Sequence, residues 1–444
     1  MPFRFKIMLA LMCAFLIAAP TKTLSAQGIP TIIRDAEIEE TLFRLTAPVF
    51  DAAGIGRNDV RLILVQDHDL NAFVAGGMNI FLYTGVILTA ENPGELVGVL
   101  AHETGHIAGA HLVRTAEVIE QASFQSILAS ILAAATAVGT GNGGAATAVF
   151  GGGQTFAQQG FLSHSRTQEA SADQAAIKYL SDAGYNAKGL LTFLEKLRGQ
   201  EVLPSSQQTE YLRTHPLTTN RISYLENNVA KTASKASYSP ETVELFDRMQ
   251  AKLTGYIYPD QALRYSDDTI AHKYAKAIAY HRQNNFDKAL AAADALIAAE
   301  PRNPYFYELK AQMYYESGQI AKSLPLYQKA SDLVPNSGLI RAAYGQALLA
   351  DADNAPDYKA AIEQLERSLR NEPRSTLTHR LLATAYGRID DKGSARIHLA
   401  EEAMLQRKYD DARRQVGLAE QYVEKSDRKW LRLQDIKNQL ENIK

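Results

Sequence analysis

The sequence predicts an α+β fold in two parts: a mostly helical domain built around a small antiparallel sheet, then an all-α repeat solenoid. Three observations carry this prediction. Between residues 27 and 260, apolar residues recur at helical spacing, and three short apolar runs cluster between 61 and 84. Beyond residue 261 the chain becomes paired helices, whose closing prolines Pro301 and Pro335 stand 34 residues apart. At 444 residues, the chain is also too long for one ordinary core. Residues 1–26 read separately, so the predicted segments are 1–26, 27–260 and 261–444.

The first segment has the form of a cleaved export signal. Arg4 and Lys6 precede an apolar core from Ile7 to Ala19, and Leu24-Ser25-Ala26 supplies small residues at the cleavage positions. That core is shorter than the roughly 20 residues a membrane span needs. The only cysteine, Cys13, lies inside it and follows Met12, too bulky for a lipidation signal. The mature chain would then contain no thiol, so any metal must be held by His, Asp or Glu. Lys and Arg number 47 against 49 acidic residues, a net charge of −2, and no long basic run occurs. Nucleic acid is therefore excluded as a partner.

In the second segment, Ile38, Leu42, Leu45 and Val49 share one helix face between Asp35 and Phe50, and Gly54 and Gly56 end that helix. Strands are predicted at Arg61–Gln66, 70–75 and 79–84, with Gly76-Gly77 turning the last two into a hairpin. Pro93 opens a helix that runs to about Glu120. Residues 127–160 are alanine-rich and then glycine-rich. They fit a buried helix with a loop, a flap over a site, or a surface in peripheral contact with lipid. Helices follow at 167–182, 187–197 and 219–229, with 199–216 as a loop and 231–240 as a linker.

In the third segment, Pro373 lies 38 residues after Pro335, one period plus an insertion near Ala352–Pro356. Twelve residues before each proline stands a small residue: Ala289, Ser323 and Ala361. Period and register resemble tetratricopeptide repeats. A further atypical pair lies near Lys408–Ala412, and a capping helix surrounds Trp430. Concave repeat surfaces bind proteins.

The chemistry centres on His102-Glu103-Thr104-Gly105-His106. Residues four apart lie about one turn from each other, so His102 and His106 can grip one zinc ion from the same side. Glu103, offset by roughly 100°, lies beside the ion, where a general base belongs. A catalytic zinc usually takes three protein ligands. His111 is one residue out of register for a third histidine; that position is Leu112. Between 27 and 260, Glu169 and Asp173 form the only Glu-x-x-x-Asp pair, on a helix lined with alanines. A solvated acidic face is the plain reading. Beside the two histidines, Glu169 reads as the third ligand and Asp173 as acceptor for a ligand histidine's N–H.

HETGH, Ser165–Asp173, Thr214–Ile222 and Asn71–Gly85 together resemble the HtpX-like and BepA-like gluzincin metallopeptidases of peptidase family M48, in the form that carries C-terminal tetratricopeptide repeats. The resemblance covers nearly the whole mature chain. It implies a zincin-type domain with one Zn2+ per chain held by His102, His106 and Glu169, with Glu103 as base and with His111 and Arg166 as supporting groups. It implies a periplasmic endopeptidase acting on unfolded or misassembled proteins, with outer-membrane assembly machinery as partner of the repeats. The alternative is a periplasmic chaperone or scaffold whose proteolysis is minor or repressed, and a lipid-binding protein ranks third. His215, held out of helix by Pro216, has three open readings: oxyanion donor, occupant of zinc's open position, or packed loop residue. Arg221 is a candidate second donor, and His68 and His164 are weaker candidates. The four histidines of the repeats show no metal spacing. Strand 79–84 is expected at a sheet edge, able to pair with an extended substrate.

Overall fold

The computed structural model describes residues 31–109, 166–204, 207–232, 238–351 and 356–443. The predicted export signal with Cys13, the end of the predicted zinc helix with His111, the 127–160 stretch and His164 lie outside them.

Strand β1 (Thr31–Ile33) leads into α1 (Ala36–Ala52), capped by Asp35, whose carboxylate accepts the N–H groups of Glu37 and Ile38. Ile38, Leu42, Leu45 and Val49 are all buried, as their spacing predicts. Strands β2 (Arg61–Gln66), β3 (Ala72–Ala75) and β4 (Asn79–Tyr83) complete a four-stranded sheet ordered β1-β2-β4-β3. The β3–β4 hairpin is antiparallel, and Gly76 and Gly77 turn it at positive φ of 61° and 94°. However, β4 runs parallel to β2, so the sheet is mixed rather than antiparallel. The hairpin docks through β4, so β4 is central, and β3 and β1 form the two edges. This corrects the expectation that 79–84 would be an edge strand. Both faces are covered. Leu64, Val74, Ile80 and Leu82 join the main core, while Ile63, Val65, Phe73, Phe81 and Tyr83 form a second cluster in which Phe73 and Phe81 stack at 5.0 Å.

After the short α2 (Thr84–Thr89), Asn92 caps α3 (Pro93–Ala108), with Pro93 at its first position. This helix is buried from Pro93 to His106. Helix α4 (Arg166–Asp182) lies against it, and α5 (Lys188–Lys196) packs beside them. The contact with α4 depends on Gly105, where a Cβ would sit 2.7 Å from the Ala172 carbonyl oxygen. A 3-10 turn at Gln200–Val202 and α6 (Glu210–Thr214) give local structure to the predicted loop. Helix α7 (Thr219–Thr232) follows, then α8 (Pro240–Ile257), which the sequence reading leaves unassigned.

Helix α8 joins the two parts by packing on both α1 and α10. After α9 (Pro259–Ala262), the repeats pair α10 (Ile270–Arg282) with α11 (Phe286–Ala299), and α12 (Pro304–Glu316) with α13 (Ile320–Leu333). Next come α14 (Gly338–Ala350) with α15 (Tyr358–Asn371), and α16 (Thr376–Arg388) with α17 (Lys392–Leu405). Helices α18 (Tyr409–Ala419) and α19 (Arg428–Glu441) close the array. Ala289, Ser323 and Ala361 are fully buried, so the small-residue register marks where paired helices meet most closely. No helix among the described residues is long and apolar enough to cross a membrane.

Candidate metal centre and active site

Helix α3 aims His102 and His106 the same way, with their Nε2 atoms 3.1 Å apart. Helix α4 brings Glu169 against both. Its Oε2 lies 3.3 Å from His102 Nε2, and its Oε1 3.3 Å from His106 Nε2. All three side chains are fully buried. Asp173, one turn on, places Oδ1 2.9 Å from His102 Nδ1, which turns the Nε2 lone pair toward Glu169.

Arg221 on α7 holds these acids in place. It forks Asp173 through Nε and Nη2 at 2.7 and 2.9 Å. Its Nη1 lies 2.7 Å from Glu169 Oε2 and donates to the Pro216 carbonyl. Burial alone would raise both carboxyls. His215, His102 and His106 instead draw Glu169 well below its ordinary range, and His102 and Arg221 lower Asp173. Both are therefore anions in a closed site.

His215 ends α6, and its ring stacks on Tyr211 at 4.6 Å. Its Nε2 donates to the Ala72 carbonyl of β3 at 2.9 Å, leaving Nδ1 facing Glu169 Oε1 at 3.2 Å. Glu103 is also fully buried, and neither of its carboxylate oxygens has a hydrogen-bond partner. Oε1 lies 3.5 Å from His215 Nε2. Burial pushes the Glu103 carboxyl up to about 7, against the pull of His215 and His102.

The donor set suits a zinc ion. One ligand atom each from His102, His106, Glu169 and His215 lie within 4.8 Å of one another. The three separations of 3.1–3.3 Å are close to the roughly 3.4 Å between ligand atoms held tetrahedrally at about 2.1 Å. Two imidazoles and a carboxylate, with His102 steadied by Asp173 and Glu169 by Arg221, match that ion's preferences.

Among the other sequence candidates, Arg166 is exposed at the start of α4 and His68 is exposed beside Asp67, outside this group. The sequence reading missed Tyr211 and the Ala72 carbonyl, because nothing local ties either to His215. It also missed a second grouping: His379, His398 and Glu401 converge inside the repeats. The sequence shows no metal spacing there, and the two histidines meet only because they face each other across adjacent helices.

Residues 33–229 match the family described as peptidase family M48, and residues 274–338 match the tetratricopeptide repeat family. The chain is 25% identical over 321 residues to the beta-barrel assembly-enhancing protease of Escherichia coli (strain K12), a match covering 70% of this chain and 65% of that protein. It thus spans just under two thirds of that relative. A putative beta-barrel assembly-enhancing protease of Vibrio cholerae is 25% identical over 413 residues, covering 88% of this chain and 82% of the relative. The mitochondrial metalloendopeptidase OMA1 of Bos taurus is 26% identical over 185 residues, 40% of this chain and 34% of that one. Among solved structures, "MamA MSR-1 C2" aligns with 37% of this chain and 97% of its own at 19% identity and a TM-score of 0.31. The domain that holds the two histidines and the glutamate is a peptidase family M48 domain, and the helical array behind it consists of tetratricopeptide repeats.

Proposed function

We propose that this chain is a zinc-dependent endopeptidase that cleaves unfolded or misassembled proteins in the periplasm, as part of outer-membrane protein quality control. One observation carries the chemical half of this reading: a fully buried carboxylate at Glu103 that accepts no hydrogen bond, beside the His102, His106 and Glu169 donor set. A scaffold has no need of such a costly group. The cellular half is supported by the predicted export signal, by the repeats and by the assembly role named in the relatives.

A bound zinc ion would polarise the scissile carbonyl and acidify the attacking water. The chain's own residues do the rest. Glu103 takes a proton from that water as its oxygen bonds to the carbonyl carbon, then returns it to the amine nitrogen as the C–N bond breaks. Arg221 and Asp173 keep the ligands oriented throughout. An extended substrate has one sheet edge on offer near the site, that of β3. The carbonyl of Ala72 points away from β4, and by alternation so do the backbone groups of Val74. Backbone pairing there would select for unfolded segments more than for sequence.

The position of His215 supports a repressed form of this same enzyme. Its Nδ1 supplies the fourth member of the donor set, the place a reacting water needs.

The test is zinc content and cleavage of an unfolded protein by the wild type and Glu103→Gln. The variant should retain zinc and lose activity by at least about a thousandfold, as loss of an essential base does. Absence of zinc from the wild type, or unchanged cleavage in the variant, would end the reading.

A further inference from the structure

The α16–α17 pair of the repeats encloses a second set of converging lone pairs, remote in sequence from the peptidase site. His379 lies on the first turn of α16, and His398 and Glu401 lie one turn apart on α17. Both histidines are buried. His398 Nε2 lies 3.2 Å from Glu366 Oε1 on α15, and His379 Nε2 lies 3.4 Å from the Pro373 carbonyl. These acceptors place each ring's N–H at Nε2 and its lone pair at Nδ1.

The two Nδ1 atoms face each other at 3.0 Å. Glu401 Oε2 completes the triangle, 3.0 Å from His379 Nδ1 and 3.6 Å from His398 Nδ1. Arg432 of α19 forks Glu401, Nε to Oε1 at 2.8 Å and Nη2 to Oε2 at 2.5 Å. Burial would raise that carboxyl, and the Arg432 guanidinium opposes this and keeps it an anion. Three acceptor atoms this close, with both ring protons engaged elsewhere, repel one another unless a cation sits among them. The triangle has nearly the dimensions of the one at His102, His106 and Glu169, and each histidine has an acceptor behind it, as His102 has Asp173.

We propose that His379, His398 and Glu401 form a second zinc-class metal site, a structural staple joining α16 to α17, with Glu366 on α15 and Arg432 on α19 holding its ligands. Two imidazoles and one carboxylate suit Zn2+ and its transition-metal neighbours rather than Ca2+ or Mg2+. The ion would fasten the last repeats to the capping helix without taking part in cleavage.

The experiment uses the full-length chain and zinc alone as probe. The wild type, loaded with Zn2+ and dialysed into metal-free buffer, should retain about two ions per chain. His398→Gln should retain about one and keep its peptidase activity. In a His102→Ala/His106→Ala chain, added Zn2+ should still raise the melting temperature, and His398→Gln should abolish that rise. The zinc response of the doubly substituted chain decides the matter even if His398→Gln does not fold. One ion in the wild type with no zinc-dependent rise in that chain would overturn the proposal and leave a shared-proton network in its place.

Discussion

Glu103 and His215 approach within 3.5 Å inside the closed site, yet the structure equips them for opposite tasks. Glu103 accepts no hydrogen bond that must break before it takes a proton. His215 is committed, with Nε2 on the Ala72 carbonyl and Nδ1 toward the donor set. A developing oxyanion needs a donor, and the only donor in this tautomer is already in use. His215→Ala should therefore raise cleavage of an unfolded substrate, by about tenfold if the closed arrangement is favoured by about 1.4 kcal/mol. A loss of about a hundredfold or more would instead make His215 an oxyanion donor. Steady-state cleavage of a labelled unfolded protein separates the two outcomes.

Two helices and one glycine set the geometry of the metal centre. Gly105 lies between the two histidines, facing α4, and its missing side chain lets the Ala172 backbone approach. Gly105→Ala should push α4 outward, costing about 1–3 kcal/mol in packing and drawing Glu169 away from the histidines. Thermal unfolding with and without a chelator, together with zinc titration, should show reduced stability and at least about tenfold weaker zinc binding. These parts were legible because they are local. HETGH and Glu169–Asp173 are both four-residue spacings on one helix, and the alanines around them announce close packing. What was not legible depends on distant pairing. Strand order puts β3 rather than β4 at the edge because β4 takes β2 as a neighbour, a choice no feature of 79–84 records. His379 and His398 are 19 residues apart and meet only because two repeat helices fold back on each other. Helix α8 was passed over because its polar residues turn inward to meet charges from both halves of the chain.

Those inward charges join the molecule together. Lys252 on α8 reaches Asp35 at 2.8 Å and Glu37 at 3.1 Å, and Tyr274 of α10 donates to Glu37 at 2.8 Å. Arg34, just before α1, pairs with Glu372 at the end of α15. Glu308 of α12 faces the same cluster with one carboxylate oxygen buried and unbonded. Burial and the charges of Asp35 and Glu37 outweigh the pull of Lys252 and push its carboxyl up to about 8. A carboxyl raised in the folded state adds stability that is complete below its unfolded value and is lost as pH climbs through the folded one. Melting temperature should therefore decline between about pH 4.5 and 8 on account of this group. Glu308→Gln should melt roughly 2–4 °C above the wild type at pH 9, the shift that about 1 kcal/mol produces in a domain of 150–250 residues. The two should coincide at pH 4. Calorimetry across that range tests both.

The Glu37–Tyr274 contact also sets a timetable for each newly made chain. The two residues are 237 positions apart, so at about 5–20 residues per second roughly 10–50 s separate their synthesis. Until α8 and α10 arrive, α1 cannot bury Glu37 without leaving an unpaired charge inside the protein, which costs several kcal/mol. The half that carries Glu103 therefore comes to rest only after the first helix of the repeats has been made.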